Sequence, residues 1–225
     1  MVNLKKLAAE KAVEYVKDGM VVGLGTGSTA LYAIKKISEL VRAKELNIIG
    51  IPTSIKVERI ARKLRIKIGN LEDYPELDLT IDGADEIDPN LNLIKGHGGA
   101  LLREKIVASC SKKEIIVADE SKLVARLGEK FALPVEICKF GYSVIAEKIN
   151  SKFGCETELR KAGNRIFVTD NGNYILNCKF DKIAEPKKLE YELNNIAGVM
   201  ENGLFVELVD FAIIGTSKGL KLISR

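Results

Sequence analysis

Residues 79 to 90 read LTIDGADEIDPN, a short apolar run followed by four carboxylates, Asp82, Asp85, Glu86 and Asp88. Crowded acids at the end of a buried strand can hold a metal, bind sugar hydroxyls, move protons or solvate a turn. A calcium loop of the EF-hand type requires alternating acids with glycine at its sixth position, whereas Gly83 stands second here. Asp82 and Asp85 lie three positions apart, a spacing that one turn after a strand brings together. Glu86 and Asp88 read as part of a solvated turn.

Two glycine-rich segments accompany the acids. GLGTGST, Gly23 to Thr29, sets Gly27 among the hydroxyls of Thr26, Ser28 and Thr29 at the start of a helix. Backbone N–H groups in that place suit a phosphate; the plain alternative is a tight strand-to-helix turn that needs glycine for its geometry. A dinucleotide fingerprint would place glycine at Ser28 and an acid where Pro52, Thr53 and Ser54 stand, and no lysine of a P-loop follows. The loop therefore suits a smaller phosphorylated ligand. KGHGGALLREK, Lys95 to Lys105, puts a cation before the flexible turn of Gly96, Gly98 and Gly99 and a carboxylate, Glu104, on the helix that follows. Cation, cradle and base are the parts of a proton-transfer site. His97 has glycine neighbours and no carboxylate beside it to orient its ring, so it reads as a backbone contributor. Lys122, in ADESK, is a second cation for a phosphate. Acids repel phosphate, so the acidic and glycine segments are expected to hold different ends of one ligand.

These residues need elements to position them. Leu4, Leu7, Ala8, Ala12, Tyr15 and Val16 recur at helical spacing, and Leu31, Ile34, Ile37 and Val41 line a second helix. Apolar strands at MVVGL, NIIGIP, LDLTID and EIIVAD alternate with helices at IKVERIARKLRI and GGALLREKIVAS, the pattern of a parallel, doubly wound α/β sheet. In such sheets ligands bind beyond the carboxyl ends of the strands, where both the glycine loop and the acids fall. The pattern changes near residue 131: LPVEI, ETELR, NRIFVTD and NYILNCKF read as short strands, with DNGN as a hairpin turn. With helices near 142–153 and 185–197 and a strand near 203–209, this is the ferredoxin-like order. The tail FAIIGTSKGLKLI supplies two strands that return to the first sheet. The expected fold is therefore α/β. A Rossmann-like parallel sheet spans 1–130 and is completed by 206–225; a smaller ferredoxin-like α+β domain spans 131–205.

Composition narrows the function. The 225 residues are 46% hydrophobic and 29% charged, as in an ordinary globular protein, with a net charge of only +4. No stretch concentrates Lys and Arg with aromatics, which argues against nucleic acid. No apolar run approaches the roughly 18 residues of a membrane span. Four scattered cysteines without a CxxC pair, and a single histidine, leave a zinc site short of ligands and suit reduced thiols in the cytoplasm.

GLGTGSTA, DGADEID, KGHGGALLREKIVAS, ADESK followed by LPVE, and VTDNGN together resemble the type A ribose-5-phosphate isomerase family. They recur in the family's order from about residue 4 to the C-terminus. The resemblance implies interconversion of ribose 5-phosphate and ribulose 5-phosphate without metal or cofactor, in a homodimer or homotetramer whose only ligand is the small-molecule substrate. It carries the catalytic base onto Glu104, with Asp82, Asp85 and Lys95 also catalytic and facing the sugar. Substrate contacts fall on Thr26, Gly27, Ser28 and Thr29, on Gly83 and Ala84 between the two aspartates, and on Gly96, His97 and Gly98. Lys122, with Lys5 of NLKK as an addition, completes the phosphate site. The family usually shows an unbroken glycine run after the lysine, which His97 interrupts here. A sugar-phosphate deaminase or lactonase would need another acid–base set, which DGADEID and REK disfavour. A sugar-phosphate-sensing regulator would carry a DNA-binding segment, whereas this chain starts on the first helix of the sheet.

Overall fold

A computed structural model describes residues 3–225, which form two compact units. One comprises the chain through Ala84, Arg103–Leu123 and Leu208–Arg225; the other comprises Asp85–Leu102 and Val124–Glu207.

The first unit is a seven-stranded sheet in the order Gly219–Ser224, Phe211–Thr216, Glu114–Asp119, Leu79–Asp82, Val21–Leu24, Ile49–Pro52 and Lys67–Ile68. Every neighbouring pair is parallel except the first, a hairpin made by the tail. Burial on both faces explains why Val21–Leu24 and Glu114–Asp119 read as near-continuous apolar runs. Helices Leu4–Val13 and Ala30–Arg42 bring Ala8, Ala12, Ile34 and Ile37 into one core with Val22, Leu24, Ile81 and Val117. The first helix is shorter than its apolar spacing predicts. Tyr15 and Val16 donate to the carbonyls three residues back, so the last turn tightens and Val16 reaches the core from outside the helix. From Val21–Leu24 the chain builds outward to Lys67–Ile68, then returns to place Leu79–Asp82 on the other side. The strand order reverses between those two strands, and their carboxyl ends carry the glycine loop and Asp82.

The second unit contains an antiparallel sheet in the order Val199–Asn202, Leu133–Ile137, Tyr174–Lys179 and Glu156–Leu159. With helices Tyr142–Phe153 and Pro186–Asn194, its elements run strand, helix, two strands, helix, strand, the order read from the sequence. Three details differ. The fourth strand is Val199–Asn202 rather than 203–209, because Leu204–Phe205 leaves the sheet to pair with Leu93–Ile94. Gly203 permits the switch: a Cβ there would overlap the Lys95 carbonyl oxygen, and Lys95 N–H donates to Gly203 O at 2.9 Å. Of NRIFVTD only Arg165–Ile166 is strand, and it pairs with Lys161–Ala162 in a separate hairpin. Residues 85–102 and 124–130 also belong to this unit rather than to the parallel one. The strand pairing of Leu93–Ile94 and a set of bonds to Glu86, described below, hold them there.

Candidate active site

In the first unit the glycine loop is shaped by what it must pass. A Cβ at Gly25 would overlap Asp82, and Gly25 N–H donates to Ile81 O at 3.0 Å, so the loop lies directly on the end of the acid-bearing strand. Gly27, at φ 135°, occupies backbone space that side chains disfavour. The Thr26 hydroxyl bonds those of Thr53 at 2.7 Å and Ser54 at 2.9 Å, and Ser54 in turn caps the helix Ile55–Lys63. Thr26 thus ties the loop to the next strand end. Thr29 is buried at the start of Ala30–Arg42, where its side chain makes no capping bond.

Lys5 links the glycine loop to the end of another strand. Lys5 Nζ donates to Ser28 Oγ at 3.2 Å and lies 3.9 Å from Asp119 Oδ2. Asp119 ends the strand Glu114–Asp119 and caps the single turn Glu120–Lys122 by accepting from Ser121 N–H at 3.0 Å. Burial pushes the Asp119 carboxyl up, but the Ser121 hydrogen bonds and the charges of Lys5 and Lys122 outweigh it and hold the group below its ordinary value. Lys5 and Lys122 thus both act on the ionised Asp119, and Lys5 also bonds Ser28. Asp82 is 1% exposed and accepts from Gly83 N–H at 2.6 Å. Glu104 is 4% exposed in the first turn of Leu101–Ser109.

In the second unit the Lys95–Gly99 segment is gripped from several directions. Lys95 is buried, its Nζ 5.3 Å from the centre of the Phe205 ring. Asp85 Oδ2 accepts from His97 N–H at 3.0 Å. The His97 ring stands edge-on to Phe131 at 4.5 Å, which gives its side chain a packing partner. Arg160 donates to the carbonyls of Gly96 and His97, and Asp85 opposes the effect of burial on the Arg160 charge.

The remaining two acids divide in a way the sequence reading did not anticipate. Asp88 does belong to a turn, accepting from Asn90 N–H, Asn92 N–H and the Asn92 side chain, though it is buried rather than solvated. Glu86 is not a surface turn residue at all. It is fully buried and accepts from Gly128, Lys130 and Phe131 N–H at 2.6, 2.6 and 2.7 Å, so it is a structural anchor for the loop that carries Phe131.

Against known proteins, the family model for ribose 5-phosphate isomerase A (phosphoriboisomerase A) matches residues 49–219. The ribose-5-phosphate isomerase A of Bacillus mycoides is 52% identical over 98% of this chain and 99% of its own. The chain belongs to the ribose 5-phosphate isomerase A family. A ribose 5-phosphate isomerase structure from Plasmodium falciparum superposes with a TM-score of 0.96 at 44% identity, covering 99% of this chain and 98% of that one. A D-ribose-5-phosphate isomerase solved in complex with phospho-erythronic acid does so with a TM-score of 0.95 at 42% identity over the same shares.

The family's motif positions thus divide between the units. Lys5, Thr26 to Thr29, Asp82 to Ala84, Glu104 and Lys122 lie in the first; Asp85 and Lys95 to Gly98 lie in the second. Two residues escaped the sequence reading. Asp119 stood inside the quoted ADESK, and its spacing to Ser121 is a capping signal that could have singled it out. Arg160, at the end of ETELR, gives no sign in sequence that its partners are Gly96 and His97.

Proposed function

We propose that this protein interconverts D-ribose 5-phosphate and D-ribulose 5-phosphate through an enediolate, in the non-oxidative branch of the pentose phosphate pathway. The observation that carries this is its 52% identity to a ribose-5-phosphate isomerase A over nearly the whole of both chains. In the proposed mechanism the Glu104 carboxylate takes the proton from C2 of the open-chain aldose, and the electron pair moves toward the C1 carbonyl. A proton passes from O2 to O1, and Glu104 returns its own to C1, leaving the carbonyl at C2. Burial of Glu104 shields a single carboxyl from competing water. Lys95 and the N–H groups after it supply fixed positive ends for the oxygen on which charge develops. Asp82 or Asp85 opens the sugar ring or holds its hydroxyls. Ser28, Thr29, Lys122 and Lys5 anchor the phosphate, and Thr26 and Gly27 hold the loop in shape. The assembly proposed is a cytoplasmic homodimer or homotetramer. Among the described residues no helix is long and apolar enough to cross a membrane, and all four cysteines are free thiols.

Conversion of ribose 5-phosphate to ribulose 5-phosphate, followed by NMR, tests the reading. Phospho-erythronic acid should inhibit competitively, since its carboxylate mimics the charge of the enediolate. Dialysis against a chelator should leave the rate intact, because the acids are assigned to the sugar. Activity that disappears and returns with magnesium or zinc would overturn the metal-free mechanism.

A further inference from the structure

Arg160 follows the strand Glu156–Leu159, and its main chain is fixed on both sides. Its N–H donates to Ile175 O at 2.8 Å, and its carbonyl accepts from Phe167 N–H at 2.9 Å. The side chain is fixed as well. Nε and Nη2 both donate to Asn177 Oδ1, at 3.1 and 2.6 Å, which sets the plane of the guanidinium. Nη1 then donates to two successive carbonyls, Gly96 O at 2.7 Å and His97 O at 3.2 Å.

Those bonds determine where the N–H groups of the loop point. The N–H of His97 donates to Asp85, and that of Gly99 closes a turn onto Gly96 O at 3.0 Å. The peptide joining His97 to Gly98 is trans, so its N–H points opposite to the carbonyl that Arg160 holds. The Gly98 N–H is therefore turned away from Arg160, on an exposed residue. Gly96 at φ 104° and Gly99 at φ 80° make this backbone intrinsically permissive, and a permissive loop aims a donor only if something outside it does the fixing.

We propose that Arg160 is a positioning residue for the isomerisation: by holding the carbonyls of Gly96 and His97, it aims the Gly98 N–H at the oxygen that gains charge in the enediolate. The inference rests on the isomerase reading above. A donor aimed in advance acts chiefly on the transition state, so its misalignment slows turnover more than it weakens substrate binding. Lysine at this position carries the charge but not the fork, and cannot hold Asn177 and two carbonyls together.

Steady-state kinetics and thermal melts of the wild type, Arg160→Ala and Arg160→Lys decide the matter. Wild-type turnover is measured first; its absence removes the isomerase reading, and the role of Arg160 falls with it. With an active wild type, both variants should lose kcat by about 10- to 100-fold, the scale of a misplaced reacting geometry, while KM stays nearly constant. Arg160→Lys should melt close to the wild type and still be slow, and added guanidinium ion should restore part of the rate of Arg160→Ala where methylammonium does not. Should Arg160→Ala fail to fold, Arg160→Lys alone decides. A wild-type kcat in Arg160→Lys, or a raised KM with kcat kept, would overturn the assignment.

Discussion

A carboxylate that takes a proton from carbon gains from being shielded, and Glu104 combines burial with a place in the first turn of a helix, where the backbone favours negative charge. Glu104→Gln keeps the shape and removes the proton acceptor. Its kcat should fall by at least the roughly 10²–10⁴-fold assigned to general-base catalysis, with KM little changed. His97→Ala is the control, since the bond from His97 to Asp85 uses the backbone and the ring packs on Phe131. It should retain most activity. An active Glu104→Gln beside an inactive His97→Ala would make the histidine the base. At the phosphate end, Lys122 helps to hold the Asp119 carboxyl ionised and is assigned to an anion bound alike in ground and transition states. Lys122→Ala should therefore raise KM about ten- to a hundredfold, from the roughly 1.5–3 kcal/mol of a charge-assisted hydrogen bond. An unchanged KM would place the phosphate elsewhere.

Between elements, the contacts that matter most here join segments remote in sequence. Glu86 binds three N–H groups more than 40 residues away. Glu86→Ala would leave those three part-buried donors without their acceptor, so the protein should lose about 2 kcal/mol or more in urea unfolding. Glu86→Gln, which keeps one carbonyl oxygen, should fall between; a loss below about 0.5 kcal/mol for the alanine variant would refute the anchoring role. The same remoteness explains what the sequence made legible. Strand and helix alternation, the glycine loop and Asp82 could be read locally, because periodicity and turn chemistry are local signals. So could the ferredoxin-like order. Glu86 could not: an acid two residues from a loop looks solvated until the 128–131 segment folds over it. Nor could Arg160, whose bond to Gly96 spans 64 residues. The misplaced fourth strand has a similar cause, since the apolar pattern of 203–209 is real but is partly satisfied by pairing with Leu93–Ile94.

On the scale of the whole molecule, apolar surface remains after each unit has buried its core. Phe140 is 92% exposed and Tyr191 71% in the antiparallel unit; Leu222 is 59% exposed on Gly219–Ser224, the strand at one edge of the parallel sheet. Single exposed apolar side chains are ordinary. An edge strand is a stronger inducement, because it offers unpaired backbone groups as well as apolar side chains, here Leu220 and Leu222 at alternate positions with Lys221 between them. Association of identical chains would cover such surface at a cost met by mass action, so the assembly should depend on concentration. Sedimentation equilibrium at micromolar protein should give a mass two or four times that of the chain, shifting toward the monomer on dilution. The mass of a single chain across the whole concentration range, in a preparation that turns over ribose 5-phosphate, would show that the active form is the monomer and would end the homo-oligomer proposal.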